Sequence, residues 1–397
     1  MPDSKLSLHC HSRPTISSTQ ATHDLAERWA LWSVEGIGYA RLTRLHELCH
    51  GDLSCLWTDR ALVLRCIKVL SLSAKIQAAL HQVLSVPADV QWQALNQSLL
   101  PDESVIHRSW REYPVGLFDL SDPPEFIFVR GELSLCAMSM PLALVGSRQV
   151  PSAQQRFATA LSLKLASSGV TVVSGGARGM DTCAHQGALD AHAATVAVLP
   201  GGMRELAPRQ NMRLFNEIVG GGGALVSEYP LTCAPRRYHY ARRNRVIAAM
   251  SRGVVVLKAA KSGGTLLTVK AAQELGRMIM ALPYEANDYL AGGSHALIQS
   301  GEAIMVCGEE DILRRAFGVI QDVEDGRNVS GEGAKWVYSW KGRELVWPLP
   351  HEICDVEQLV VAWKLSGDEL QVALFELEFN DCVRKVPGAA RYEPVYR

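Results

Sequence analysis

The 397-residue sequence has no run of about 18 uninterrupted apolar residues, so no helix of it is expected to cross a membrane. Its opening stretch, MPDSKLSLHCHSRPTISS, is polar and lacks the apolar region of a secretory signal. Ten cysteines are scattered without a single CxxC pair, which argues against a disulfide framework and fits reduced thiols in a cytoplasmic protein. Charge leans neither way. The 40 Lys+Arg against 41 Asp+Glu, a net of −1, exclude a polybasic coat but leave local patches open. Also missing are a Walker GxxxxGK[ST] and a GxGxxG followed by an acidic ribose reader, which disfavours an ATP motor and an ordinary NAD site. No cofactor and no metal are expected, since His9-Cys10-His11 lacks a second ligand pair.

What is present is ample core material, 48% apolar, in a chain long enough for two or three domains. Residues 1–23 read as a flexible tail. Residues 24–100 read as a small helical domain, with Leu25, Trp29, Trp32, Leu42, Leu45 and Leu48 at helical spacing. Within it Val34-Glu35-Gly36-Ile37-Gly38 suits either a helix–hairpin–helix turn that holds a backbone phosphate or a plain turn in a bundle. Residues 101–319 alternate strand and helix patterns. Strands are expected at Leu142–Gly146, Val170–Ser174, Thr195–Leu199, Ala224–Ser227, Gly253–Leu257, Met278–Leu282 and Ala303–Cys307. Helices are expected at Ala153–Ser167, Asp181–Ala191, Arg209–Val219, Arg242–Met250 and Leu266–Gly276. The fold class is therefore α/β, a Rossmann-like doubly wound and mostly parallel sheet with ligands beyond the carboxyl ends of its strands. Residues 320–349 are polar and Gly-rich, hence a linker, and residues 350–397 suggest a winged-helix-like module. That module is acidic, and its second expected helix, Ser366–Glu378, has no basic residue with which to read duplex DNA.

Four Gly- or Ser-rich turns follow expected strands: Gly146-Ser147-Arg148, Ser174-Gly175-Gly176-Ala177-Arg178, Pro200-Gly201-Gly202 and Ser262-Gly263-Gly264-Thr265. Each alone could be a tight connection. Together on one sheet edge they make a groove lined with amides that favour anions. Between Arg204 and Arg252 stand nine arginines, no lysine and three glutamates, with Tyr229, Tyr238 and Tyr240 interleaved. Guanidinium groups fork onto phosphates while aromatic faces stack on unpaired bases, so the run points to single-stranded nucleic acid.

The order and spacing of Gly-Ser-Arg, Ser174–His185, Ser227-Glu228, Tyr240–Arg245 and Ser262–Thr268 resemble the DprA/Smf family over about 200 residues, and weaker flanks extend the likeness. The resemblance implies a cytoplasmic protein without enzymatic activity that binds single-stranded DNA, forms a homodimer and helps load the RecA recombinase in natural transformation. It places Gly146, Ser147 and Arg148 in a phosphate pocket, with Arg242, Arg243, Asn244 and Arg245 flanking it and Tyr238 or Tyr240 as a stacking surface. Ser174, Gly175, Ser262 and Gly263 would be amide walls, joined in the candidate interface by Arg178, Arg237 and Gly264. Asp181 and His185 would brace the loop rather than do chemistry. Lys258 replaces the acid usual in that family and would make the groove more basic. Pro283-Tyr284, Gly293-x-His295 and Ala207-Pro208 also depart from its pattern. Two alternatives use the same pocket: a nucleotide-phosphoribohydrolase-like enzyme, for which Glu274 is the nearby carboxylate, and a nucleotide-ligand sensor without turnover.

Overall fold

The computed structural model describes residues 19–133, 140–317, 337–340, 343–346, 354–379, 383–385 and 391–394. The chain divides into two units between Leu100 and Pro101. The first holds six helices: α1 (Thr19–Trp32), α2 (Tyr39–Leu48), α3 (Cys55–Thr58), α4 (Arg60–Val69), α5 (Ala74–Leu84) and α6 (Ala88–Ser98). Leu31, Val34, Ile37, Leu42, Leu45 and Leu80 meet in its core. Asp59 starts α4 by accepting from the amides of Ala61 and Leu62, an N-cap. The Val34–Gly38 segment joins α1 to α2, and Gly36 is required there: its φ is +105° and a Cβ would come within 2.7 Å of Ile76. Helix α1 begins at Thr19, so residues 19–23 belong to it rather than to a tail. His9-Cys10-His11 lies outside the described residues.

The second unit is built on a nine-stranded sheet in the order β1-β2-β6-β5-β4-β3-β7-β8-β9. Its strands are β1 (Glu103–His107), β2 (Phe126–Gly131), β3 (Pro141–Gly146), β4 (Thr171–Ser174), β5 (Thr195–Val198), β6 (Ala224–Ser227), β7 (Gly253–Lys258), β8 (Met278–Ala281) and β9 (Ile304–Met305). From β6 to β9 all neighbours are parallel; β1 and β2 add an antiparallel edge. Those two strands fall in a segment that sequence pattern leaves as a lead-in, although Asp122-Pro123-Pro124 and Gly131 frame the apolar run Phe126–Val129.

Helices cover both faces, which is why β3 to β8 are largely apolar, while the edge strand β1 carries Glu103, Ser104 and His107. In β3, Leu142 and Leu144 pack with α7 (Ser152–Ser167), α8 (Met180–Asp190) and Phe317, while Ala143 and Val145 face Val246–Ala249 and Val269. The remaining helices are α9 (Met212–Gly220), α10 (Arg237–Ala249), α11 (Gly264–Glu274), α12 (Gly292–Gln299) and α13 (Glu309–Phe317). Helix α10 starts five residues before the expected Arg242, a difference that matters below.

Within the interval read as a linker, Val337–Trp340 (β10) and Arg343–Val346 (β11) pair antiparallel, so that part of it is ordered. Leu345 joins a small core with Cys354, Leu359, Trp363 and Leu370. The C-terminal elements are β12 (Cys354–Asp355), α14 (Val356–Trp363), α15 (Gly367–Phe379), β13 (Val383–Lys385) and β14 (Arg391–Pro394), with the three strands in one sheet. The described cysteines are free, and no helix among the described residues is long and apolar enough to cross a membrane.

Candidate nucleic-acid interface

Strand β3 is where the winding reverses: the chain runs from it to β4, β5 and β6 on one side, then returns to β7, β8 and β9 on the other. A doubly wound sheet opens a crevice beyond its carboxyl edge at such a point. A groove of about 1280 Å³ lies there, lined by the exits of β3 (Gly146, Ser147, Arg148), β4 (Arg178, Asp181) and β7 (Ser262, Gly263, Gly264) and by α10 (Arg237, Tyr238, Tyr240, Arg243, Asn244). Close packing shapes its floor. A Cβ on Gly146 would stand 2.7 Å from Met180, and one on Gly179 (φ +80°) would stand 2.5 Å from the Ser147 carbonyl.

Helix α11 opens toward the groove with Gly263 as its N-cap, so its first amides and positive dipole end are offered to an anion. Asn244 Nδ2 donates to the Gly264 carbonyl (3.1 Å) and ties α10 to that end. The Arg148 guanidinium lies over the Tyr240 ring, 5.3 Å from its centroid. A side pocket of about 340 Å³ continues past Arg148, Arg178 and Tyr240 to Arg209 and Gln210. Arg148, Arg178, Arg209 and Arg237 are exposed, and none forms an ion pair among the described residues. Their charge is therefore free for a ligand.

Arg243 is different, being only 4% exposed. Its Nη1 donates to the Val198 carbonyl, and its Nε–H has no partner among the described residues. Burial lowers its pKa to about 10, which leaves it charged at neutral pH. Asp181 accepts from the amides of Ala177 (3.4 Å) and Gly146, and burial raises its pKa against the pull of Arg243. His185 is fully buried. The Thr195 hydroxyl donates to the Val172 carbonyl (2.7 Å), so His185 Nδ1–H donates to Thr195 Oγ (2.9 Å), and Nε2 has no partner among the described residues. Burial lowers its pKa to about 3. Asp181 thus bonds the loop after β4 through the Ala177 amide, whereas His185 is tied to Thr195 of β5 and does not touch that loop.

Residues 104–317 match the family described as DNA recombination-mediator protein A. The chain belongs to that family. It is 35% identical over 312 residues to protein Smf of Escherichia coli, covering 77% of this chain and 80% of that protein. With DNA processing protein DprA of Streptococcus pneumoniae it shares 35% identity over 205 residues, 52% of this chain and 72% of the other. The X-ray structure of the S. pneumoniae protein superposes with a TM-score of 0.60 at 27% identity, covering 74% of this chain and 96% of that one.

Within this family framework, several residues expected in the groove have other work. Arg242 pairs with Asp122 (2.7 Å) and Glu228 (3.3 Å), and Arg245 pairs with Glu228 and donates to the Asp122 carbonyl (2.7 Å). They stand apart from Arg243 and Asn244 because a helix turns about 100° per residue. Starting α10 at Arg237 puts Arg237, Tyr240, Ala241, Asn244 and Ile247 on the groove side. Ser174 is buried, its hydroxyl donating to the Leu144 carbonyl (2.6 Å). Gly175 is no amide wall either: a Cβ there would stand 2.1 Å from Arg243 Nη1, so its bare α-carbon makes room for that guanidinium. Ser147 lines the groove, but its amide (2.9 Å) and hydroxyl (3.3 Å) both donate to the Lys258 carbonyl.

Lys258 is the clearest correction. It is fully buried and adds no charge to the groove, since its Nζ donates to Gln154 of α7 and to Asp288 (2.6 Å). Period-two alternation would aim it with Val254 and Val256. Instead the register between β3 and β7 slips after Val145↔Val256, so that Gly146 faces Lys258, and such an irregularity re-aims the side chain. Thr265 lines the groove with the rest of its turn; missed by sequence reasoning were Arg209 in the side pocket and Leu267, Thr268 and Leu290 in the groove. Arg209 was visible in the arginine run; Leu290 carried no signal.

Because Arg245 serves Glu228, Arg245→Ala should lower stability by about 1–3 kcal/mol while single-strand affinity stays within about twofold. Urea unfolding and an oligo-dT titration of the same variant check both halves. A large affinity loss with unchanged stability would return Arg245 to the interface.

Proposed function

We propose that this chain is a single-stranded DNA-binding recombination mediator that holds the strand in the groove at the β3 switch point. The observation that carries the reading is the set of four exposed arginines without carboxylate partners, Arg148, Arg178, Arg209 and Arg237, ranged beside Tyr238 and Tyr240. Guanidinium groups neutralise successive phosphates, and tyrosine faces take unstacked bases whatever their sequence. The groove's volume exceeds the range usual for small-ligand pockets, which favours a polymer over a mononucleotide. Family membership supports the same reading, and loading of RecA and self-association into a homodimer follow from it as further parts of the proposal.

Binding without catalysis is the mode this site suits. Asp181, the carboxylate at the groove, is buried and pinned by amides. Glu274, on which the hydrolase alternative depends, is two-thirds exposed at the end of α11 and lies 3.9 Å from Lys270 of the same helix.

A salt titration of oligo-dT and duplex binding tests the proposal. Single strands should bind more tightly, with log affinity falling linearly against log salt by about 0.7 per phosphate neutralised. Arg148→Ala should weaken binding about tenfold for every sequence and reduce that slope by about one contact, with unfolding unchanged. Undetectable binding at low salt, together with hydrolysis of a nucleoside monophosphate, would favour the enzyme. Sedimentation of the protein alone, and with RecA on single-stranded DNA, checks the two partners.

A further inference from the structure

Beyond the groove's arginines, the segment after β8 builds a second feature at the groove's edge. Lys258, Gln154 and Asp288 form a closed polar triangle: Lys258 Nζ donates to both partners, and Gln154 Nε2 donates to Asp288 Oδ2 (3.1 Å). The Tyr284 ring lies beside the same ammonium, 4.7 Å from its centroid. Through its other oxygen Asp288 accepts from the Leu290 amide (3.0 Å) and so starts a short 3₁₀ turn, Tyr289–Ala291. Beyond that turn the Gly293 amide donates to the Ala259 carbonyl (2.8 Å), while Ser294 Oγ accepts from the Ala259 amide (3.0 Å). The turn is thus fastened to the exit of β7 on both sides.

This anchored turn puts Leu290 in the groove wall and leaves Tyr289 82% exposed beside it. An aromatic ring so exposed gains nothing from packing, yet the backbone that carries it is held by an ion pair between buried Lys258 and half-buried Asp288. Lys261 lies against the same turn. Gly292 has no side chain, and the Lys261 stem occupies the space, with Cγ 2.9 Å from where a Cβ would be. The Lys261 ammonium is exposed and has no carboxylate partner among the described residues. Glu285 is an exposed acid on the loop before it, so the cationic contact is local to the Lys261 side.

We infer that Tyr289 and Lys261 form a rim subsite for one more nucleotide of a single strand leaving the groove, the base stacking on the Tyr289 ring and the phosphate meeting the Lys261 ammonium. The inference rests on the single-strand reading of the groove. Lys258 is a positioning residue in it, acting from beneath through Asp288 to set the turn.

Titration of the full chain with oligo-dT of graded length tests the rim, using wild type, Tyr289→Ala, Tyr289→Phe, Lys261→Ala and Arg148→Ala. For strands long enough to pass the rim, Tyr289→Ala should bind about tenfold more weakly and Tyr289→Phe within about twofold of wild type. For the shortest strands that bind, the Tyr289 variants and wild type should agree. Lys261→Ala should reduce the salt slope by about 0.7 on long strands only. Equal affinity of Tyr289→Ala and wild type at every length, with Arg148→Ala still weakened, would overturn the rim and leave the groove standing. A loss of equal size at every length would also overturn it. No binding of wild type to any oligo-dT would remove the groove reading first.

Discussion

Arg243→Met is expected to destabilise the second unit by about 3–5 kcal/mol and to remove most single-strand binding, the largest effect of any single groove substitution. The cause is burial. Arg243 holds the Val198 carbonyl through Nη1 and lies close enough to Asp181 to oppose the rise in its pKa. Methionine fills much of the volume but takes away the nearby positive charge that favours ionised Asp181, leaving that buried carboxylate to its amide donors and the more distant Arg148. The Val198 carbonyl also loses its donor. Gly175→Ala should approach the same state from the other side, since its Cβ would stand 2.1 Å from Nη1 and force the guanidinium out of its seat. Arg148→Ala is the contrasting variant: binding falls and stability does not, because Arg148 is exposed. Urea unfolding and oligo-dT titration of all three variants check this pattern. Wild-type stability in Arg243→Met would show that the buried guanidinium holds nothing together.

A second large effect is expected on acidification, from His185. Its folded pKa is lowered to about 3 while an unfolded histidine titrates near 6.5. Between those values the unfolded chain binds a proton that the folded chain refuses, so stability rises with pH across the window and is lost as pH falls through it. The loss attributable to His185 amounts to about 3 kcal/mol between pH 6.5 and pH 4. Asp181 acts in the opposite sense. Its pKa is raised, so the folded state takes up a proton first and gains stability on acidification from above its folded pKa toward 3.8. The wild-type decline is therefore the difference of the two. His185→Gln should flatten it, and Asp181→Asn should steepen it. Urea midpoints of the three proteins at pH 7, 5.5 and 4 decide the matter; identical pH dependence of wild type and His185→Gln would mean that the imidazole is hydrated.

How much of this was legible beforehand differs from element to element. All seven parallel strands were readable because helices cover both sheet faces, and such strands appear as short apolar runs between Gly-rich turns. The crevice followed from those turns, since a strand exit needs glycine wherever helix and strand approach closely, as Gly146 and Gly179 do. The antiparallel edge β1–β2 was read as a lead-in: Asp122-Pro123-Pro124 and Gly131 do frame Phe126–Val129, but its partner Glu103–His107 is more than half polar and gives little strand signal. The arginines were counted correctly but could not be apportioned, because neighbours in sequence diverge around a helix whose start had been placed five residues late.

The sequence by itself determined the architecture, the family and the place of the groove, since these depend on local pattern: apolar runs, turn residues and their order. Only the tertiary structure decided which charges are available. Arg242 and Arg245 are neutralised by Glu228 and Asp122, and Lys258 is drawn beneath the groove to Asp288. Arg148, Arg178, Arg209 and Arg237 form no ion pair among the described residues. Whether a cation meets solvent or a carboxylate depends on residues 14 to 120 positions away in the chain. Proximity of that kind is created by packing, and no local pattern encodes it.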